Sequence, residues 1–310
     1  MTFAMVFPGQ GSQSVGMLDA FADLAVVRET LTEASEVLGQ DVVRLMAEGP
    51  EEALNATVNT QPLMLTADVA IWRAWLAAGG ARPTLLAGHS LGEYAALVAA
   101  GVLDFAQALP LVRLRAEAMQ EAVPLGSGAM AAVIGAEDEL IRSACADAAQ
   151  GEVVEPVNFN APGQVVIAGA KDAVARAVEL LKARGVKRVL PLPVSVPSHC
   201  ALMRPAAERL AQALAELPLA APAIPVLHNA DVASHGDAGA IRAALARQLY
   251  QPVRWVETVQ ALRAAGVGVI GECGPGRVLA GLNKRIDAGA QTVSLLEPAQ
   301  FDALKALLAA

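Results

Sequence analysis

The chain has 310 residues, 55% of them hydrophobic and 17% charged, with a formal net charge of −8. This length fits one large domain, or one domain carrying a second, and the apolar content excludes a disordered chain. The acidic balance excludes general nucleic-acid binding, which needs a basic face, and no uninterrupted apolar run of about 18 residues is present to cross a bilayer.

The first predicted element is an apolar strand over residues 3–7, ended by the loop Pro8-Gly9-Gln10-Gly11-Ser12-Gln13. The chain reaches Pro8 without a basic stretch, too soon for a secretory signal. No lysine follows Gly16 in the phosphate-loop pattern, so the loop is not a nucleotide cradle of that type. Helical periodicity dominates residues 19–80, with breaks expected near Gly39, Gly49-Pro50 and Pro62. The run Leu85-Leu86-Ala87 then enters Gly88-His89-Ser90-Leu91-Gly92, and an alanine-rich helical pattern follows. A G-x-S-x-G turn between strand and helix has the form of a nucleophile elbow. Glycines at 88 and 92 let strand and helix approach, and the Leu91 amide at the helix start is a candidate oxyanion donor. The alternative is a tight turn that carries a serine and no chemistry.

A helix is expected over residues 104–123, stopped by Pro124-Leu125-Gly126-Ser127-Gly128. Strand patterns follow at 129–134, 153–160, 164–168 and 187–194, and helical ones at 137–149 and 172–184. This βαββαβ order is that of a ferredoxin-like unit, so residues 125–196 are expected to form an inserted subdomain. Strands at 224–228, 267–272 and 292–296 then alternate with helices, including 204–217 and 241–249. Together with residues 1–124, residues 197–310 should build a larger α/β-hydrolase-like domain with a mostly parallel sheet. Its reactive groups should gather at the carboxyl ends of the strands, where Gln10, Ser90 and Gly274 fall. Cys145, Cys200 and Cys273 are far apart and form no pairing pattern, which suits a reducing cytoplasm.

Only four histidines are available as a base for Ser90. His199 follows Pro197 where the chain re-enters the larger domain, well placed to meet the elbow, although a loop histidine with no partner has the same spacing. His89 adjoins Ser90 and should point away from it. His228 and His235 read as structural or solvated. No Asp or Glu is marked as the acid of a triad, but a backbone carbonyl can hold an imidazole Nδ1–H instead. Arg115 lies on a largely apolar helix. Sequence alone favours a surface arginine paired with Glu117 or Glu121; the functional alternative is a buried guanidinium gripping a carboxylate.

Several further segments join these: Asn59-Thr60-Gln61-Pro62, Glu93-Tyr94 after the elbow, Arg115 followed by Met119-Gln120, Gly128-Ala129-Met130, Val157-Asn158-Phe159-Asn160, Pro197-Ser198-His199, Gln248-Leu249-Tyr250 and Gly274-Pro275-Gly276. On these markers the chain resembles, along essentially its whole length, the malonyl-CoA:acyl-carrier-protein transacylases of bacterial type II fatty-acid synthesis. Ala116 departs from the glycine that often follows the arginine, a change touching only local packing. The resemblance implies that Ser90 carries the acyl group and His199 is its base. It implies that Arg115 binds the malonyl carboxylate and that the amides of Gln10 and Leu91 form the oxyanion hole. The Gln248 carbonyl would orient His199, with Gln61 and Asn160 as further pocket residues. Val232-Ala233-Ser234-His235 echoes a histidine motif of related acyltransferases but lies in a polar loop and is read as a decoy. The implied partners are malonyl-CoA and acyl carrier protein, with no cofactor, metal, nucleic acid or membrane, in a cytoplasmic enzyme that acts alone. Lys187-Arg188 and Lys284-Arg285 are candidate docking patches for the acidic carrier, or else solvated surface. The rival readings are a Ser-His esterase or thioesterase and a non-enzymatic carrier-docking subunit.

Overall fold

In the strand Phe3–Phe7 every residue is buried, yet alternate side chains enter different cores. Phe3, Met5 and Phe7 join the larger apolar cluster, and Ala4 and Val6 join a second one that also contains Trp255 and Ile270. This period of two, with apolar residues on both faces, is what a central parallel strand requires. The computed structural model describes residues 2–194 and 196–309.

Nine strands are present among the described residues: β1 (Phe3–Phe7), β2 (Leu85–Gly88), β3 (Gly128–Ile134), β4 (Val154–Ala161), β5 (Gln164–Ala170), β6 (Arg188–Pro191), β7 (Val226–Leu227), β8 (Val269–Glu272) and β9 (Gln291–Ser294). They form a five-stranded sheet in the order β7-β2-β1-β8-β9 and a four-stranded sheet in the order β4-β5-β3-β6. Every pairing in the first is parallel. Every pairing in the second is antiparallel. Two helices, Asp138–Ala149 and Lys171–Ala183, complete the βαββαβ order of the smaller sheet, which has its own core around Val133, Ile141, Ile167 and Leu181. The architecture is thus α/β, a parallel sheet with helices plus a ferredoxin-like antiparallel sheet.

The two sheets are stitched together by backbone. Val253 donates to Val157 O at 2.8 Å, and Phe159 donates to Val253 O at 2.9 Å, so one edge of β4 pairs briefly with the chain after Gln248. Two irregularities in β4, at Pro156/Asn158 and Phe159/Ala161, let it turn toward that segment.

Some local expectations need correcting. Pro62 does not break the chain; it lies inside the helix Thr57–Ala77. That helix is buried on nearly all sides, so its packing outweighs one missing hydrogen bond. The expected strand over 187–194 shortens to Arg188–Pro191. Pro191 and Pro193 remove ladder donors there, and Ser195 of the following crossover lies outside the described residues. The helices Trp255–Ala264 and Pro298–Ala309 are additional to the sequence reading.

Candidate active site

The site begins at the carboxyl end of β2. A Cβ on Gly88 would lie 2.0 Å from the carbonyl carbon and oxygen of Gly92, and one on Gly92 would lie 2.1 Å from Phe7 O. Only hydrogen fits at either position, so strand, turn and helix Gly92–Ala99 can close on one another. Ser90 is the residue at the bend, with φ +52°, in the left-handed region that non-glycine residues avoid. Strain at this point raises the hydroxyl above the end of the sheet.

His199 also has a positive φ, +65°, and its amide donates to Leu249 O at 2.9 Å. Its Nε2 is 2.7 Å from Ser90 Oγ and its Nδ1 is 2.7 Å from Gln248 O. A carbonyl oxygen only accepts, so Nδ1 carries the proton and Nε2 is free to accept the serine proton. Burial and, after it, the positive charge of Arg115 push the His199 pKa down to about 3, against a smaller upward pull from the Gln248 hydrogen bond. The ring is therefore neutral across the physiological range, with Nε2 unprotonated and open to the serine proton. Among the described residues no carboxylate bonds it; Gln248 O fills that position.

Arg115 is not the surface ion pair that sequence alone favoured. Only 1% of it is exposed, and its helix, Phe105–Glu121, presents it to the core. Glu121 pairs instead with Arg209. The guanidinium donates to Gln61 Oε1 at 2.8 Å, Gln248 Oε1 at 3.0 Å and Ser90 Oγ at 3.3 Å, and stacks over Tyr94 at 5.5 Å. Its Nε has no acceptor. All these partners are neutral. Burial lowers the Arg115 pKa, but a guanidinium stays protonated, so a buried cation beside Ser90 is met by no hydrogen-bonded carboxylate among the described residues. Gln61, itself buried, is a neighbour of Arg115 and Met119.

The glycine-rich loop after β1 reaches the elbow from the other side. A Cβ on Gly9 would fall 2.4 Å from His89 O and 3.6 Å from Leu91 N, which puts Gln10 next in chain to that contact. Neither the Gln10 nor the Leu91 amide has a hydrogen-bond acceptor among the described residues. The Gln10 side chain is directed at Thr57 Oγ1, 3.4 Å away. Asn160 bonds His89: its Oδ1 is 2.8 Å from His89 Nε2, and His89 packs on Trp255 with ring centroids 5.5 Å apart. The His89 ring thus spends its Nε2 on Asn160 and not on Ser90. His235 bonds Asp231 and has no link to Ser90.

Two contributions escape the sequence reading. Glu93, fully buried one turn after the elbow, accepts from His228 Nδ1 at 2.7 Å, from the Asn229 amide at 2.9 Å and from Gln248 Nε2 at 2.9 Å. His228 is therefore neither a passive nor a solvated residue. Asn229 clamps the elbow, accepting from Ser90 N at 2.7 Å and donating to Gly88 O at 2.6 Å. The available signal was a charge, Glu93, directly before the apolar run Tyr94-Ala95-Ala96-Leu97.

The chain is similar to known proteins over nearly all of its length. A family model described as "Acyl transferase domain" matches residues 4–294. The chain is 57% identical over 302 residues to the malonyl CoA-acyl carrier protein transacylase of Salmonella typhimurium, covering 97% of this chain and 98% of that one. The acyl-carrier-protein S-malonyltransferase structure from Burkholderia pseudomallei superposes with a TM-score of 0.97 at 59% identity, covering 98% of this chain and 100% of the other. A malonyl-transacylase solved in complex with its type II PKS acyl-carrier protein superposes with a TM-score of 0.96 at 56% identity, covering 98% of each chain.

Proposed function

The chain belongs to the malonyl CoA-acyl carrier protein transacylase family, and from that premise we propose that it moves a malonyl group from malonyl-CoA to the phosphopantetheine thiol of an acyl carrier protein through an ester on Ser90. The observation that carries this reading is the pairing of Ser90 Oγ with His199 Nε2 at 2.7 Å beside a buried arginine that has only neutral partners.

Ser90 Oγ attacks the thioester carbonyl while its proton passes to His199 Nε2. The developing oxyanion is held by the Leu91 and Gln10 amides, each such donor contributing roughly 3–4 kcal/mol. The tetrahedral intermediate collapses, the carbon–sulfur bond breaks, and His199 returns the proton to the departing CoA thiolate. The malonyl carboxylate sits against Arg115 throughout. The carrier thiol then gives its proton to His199 and attacks malonyl-Ser90; collapse releases the serine alkoxide, which recovers the proton. Water has to be kept from the ester between the two halves, or the enzyme becomes a thioesterase.

Residues 125–196 serve in this reading as an inserted ferredoxin-like subdomain, with 1–124 and 197–310 as the catalytic domain. The carrier docks at exposed basic pairs, Lys187-Arg188 and Lys284-Arg285. The enzyme works as a monomer in the cytoplasm and supplies fatty-acid elongation. No helix among the described residues is long and apolar enough to cross a membrane. The test is intact-protein mass spectrometry after mixing with malonyl-CoA, followed by holo carrier protein. One malonyl group on the Ser90 peptide, discharged only when carrier is added, is the expected result. Equal CoA release with and without carrier identifies a hydrolase and overturns the transferase reading.

A further inference from the structure

A buried acid, Glu93, lies one hydrogen bond behind Gln248. Glu93 has no hydrogen bond to His199, yet two residues that fix the Ser90–His199 pair from behind, Gln248 and Asn229, are fastened to its carboxylate. Gln248 is the clearest case. Its main-chain oxygen holds His199 Nδ1, its Oε1 accepts from Arg115, and its Nε2 donates both to Ser90 O at 2.9 Å and to Glu93 at 2.9 Å. Asn229, whose side chain grips Ser90 N and Gly88 O, donates its own amide to the same Glu93 oxygen. The strained Ser90 peptide is thus held at its N–H by Asn229 and at its C=O by Gln248, and both holders end on Glu93.

We propose that Glu93 is the positioning residue of the active site, with His228 as its buried counter-ion: through Gln248 it fixes the tautomer of His199, and through Asn229 and Gln248 it fixes the left-handed Ser90 backbone. The inference rests on Ser90 and His199 being the reacting pair.

The charge arrangement supports it. Glu93 and His228 are both almost fully buried, and their contact is 2.7 Å. Burial opposes protonation of His228, but the Glu93 charge and hydrogen bond, with Asp231 behind them, overcome both burial and the repulsion of Arg247 and raise its pKa. The other side of the His228 ring faces His235, 5.1 Å away, and its Nε2 has no acceptor. His228 Nδ1–H, the Asn229 amide and Gln248 Nε2–H all converge on the Glu93 carboxylate. Only an ionised carboxylate accepts from all three neighbours at once, because a neutral amide would offer a single oxygen and present an N–H toward another donor.

The test uses Glu93→Gln, Gln248→Met and the double variant, each compared with the native enzyme for the single-turnover rate of Ser90 malonylation and for the ¹⁵N resonances of the His199 ring. Gln248→Met keeps the main-chain carbonyl but cannot reach Glu93. The expected result for Glu93→Gln is a loss of roughly 10- to 100-fold in acylation rate, the span of one charge-assisted buried hydrogen bond. The malonyl-CoA KM should move less than about threefold, because no substrate contact is removed. His199 should show a mixed tautomer in place of a single Nδ1–H form. The losses in the double variant should fall short of additive, because both changes cut the Glu93–Gln248 link. An acylation rate within about twofold of native, a His199 spectrum unchanged by Glu93→Gln, or additive losses in the double variant would each overturn the proposal. If Glu93→Gln does not fold, Gln248→Met decides it through the His199 spectrum: a shifted tautomer supports the link, and an unchanged one overturns it. The ring spectrum is recorded without substrate, so failure here is distinct from failure of native Ser90 to become malonylated.

Discussion

Arg115→Ala should convert a malonyl-selective site into one that handles uncharged acyl groups about as well. In the free protein the guanidinium makes three hydrogen bonds, all to neutral atoms of Gln61, Gln248 and Ser90. A malonyl carboxylate exchanges some of these for a paired, charge-assisted contact. Two such bonds contribute about 1.5–3 kcal/mol each, and losing the neutral bonds they replace leaves a net of about 3–4 kcal/mol. The variant should therefore lose roughly 10²–10³-fold in kcat/KM for malonyl-CoA. Acetyl-CoA has no carboxylate, so its cost is limited to packing and the contact with Ser90 Oγ, within about tenfold. Arg115→Met keeps more of the apolar volume and should give the same selectivity change, separating charge from cavity. The assay is stopped-flow acylation of Ser90 with each thioester, read as the ratio of the two kcat/KM values. An unchanged ratio in both variants would refute the carboxylate clamp.

Four further outcomes follow from the geometry. Because burial and Arg115 hold His199 near a pKa of about 3, the acylation rate should show no fall around pH 6.5 and should decline only toward pH 3; an inflection near 6.5 would show that the ring is solvated. The same depression means that the unfolded chain binds a proton the folded one does not, so stability measured by urea titration should drop as pH falls below about 6.5, by about 1.4 kcal/mol per unit from this group until pH nears 3. Gly88→Ala puts a methyl group 2.0 Å from Gly92 backbone atoms and should cost at least about 1–3 kcal/mol in urea unfolding while slowing acylation; native stability and rate would contradict the close approach. Charge reversal of Lys187-Arg188 together with Lys284-Arg285 should raise the carrier-protein KM several-fold, steepest at low salt, and leave the malonyl-CoA KM unchanged; an unaffected carrier KM would dismiss both patches.

The elbow was legible because its determinants are local. An apolar strand, two glycines and an alanine-rich helix specify the turn from adjacent residues. His199 was legible by scarcity and by its place after Pro197. The missing acid was equally legible, and Gln248 O, at 2.7 Å from Nδ1, takes its place. The burial of Arg115 was not, since Glu117 and Glu121 offered it plausible partners on its own helix and only the packing of that helix removes them. His228 was left open between structural and solvated for a related reason. Its partner, Glu93, is 135 residues away in sequence, and no spacing rule connects them. In the same way, Pro62 marked a break that tertiary burial of its helix overrides. Local chemistry can be read along the chain, whereas ion pairs closed by the fold cannot.

The left-handed backbones of Ser90 and His199 bear on how such a site ages under mutation. Both positions favour glycine on conformational grounds alone, so at each of them the change to glycine abolishes chemistry and also relaxes the chain. Selection for folding alone would therefore erode this pair, and only a continuing demand for acyl transfer opposes that drift. A descendant freed from that demand should lose its serine and histidine early and keep its sheets.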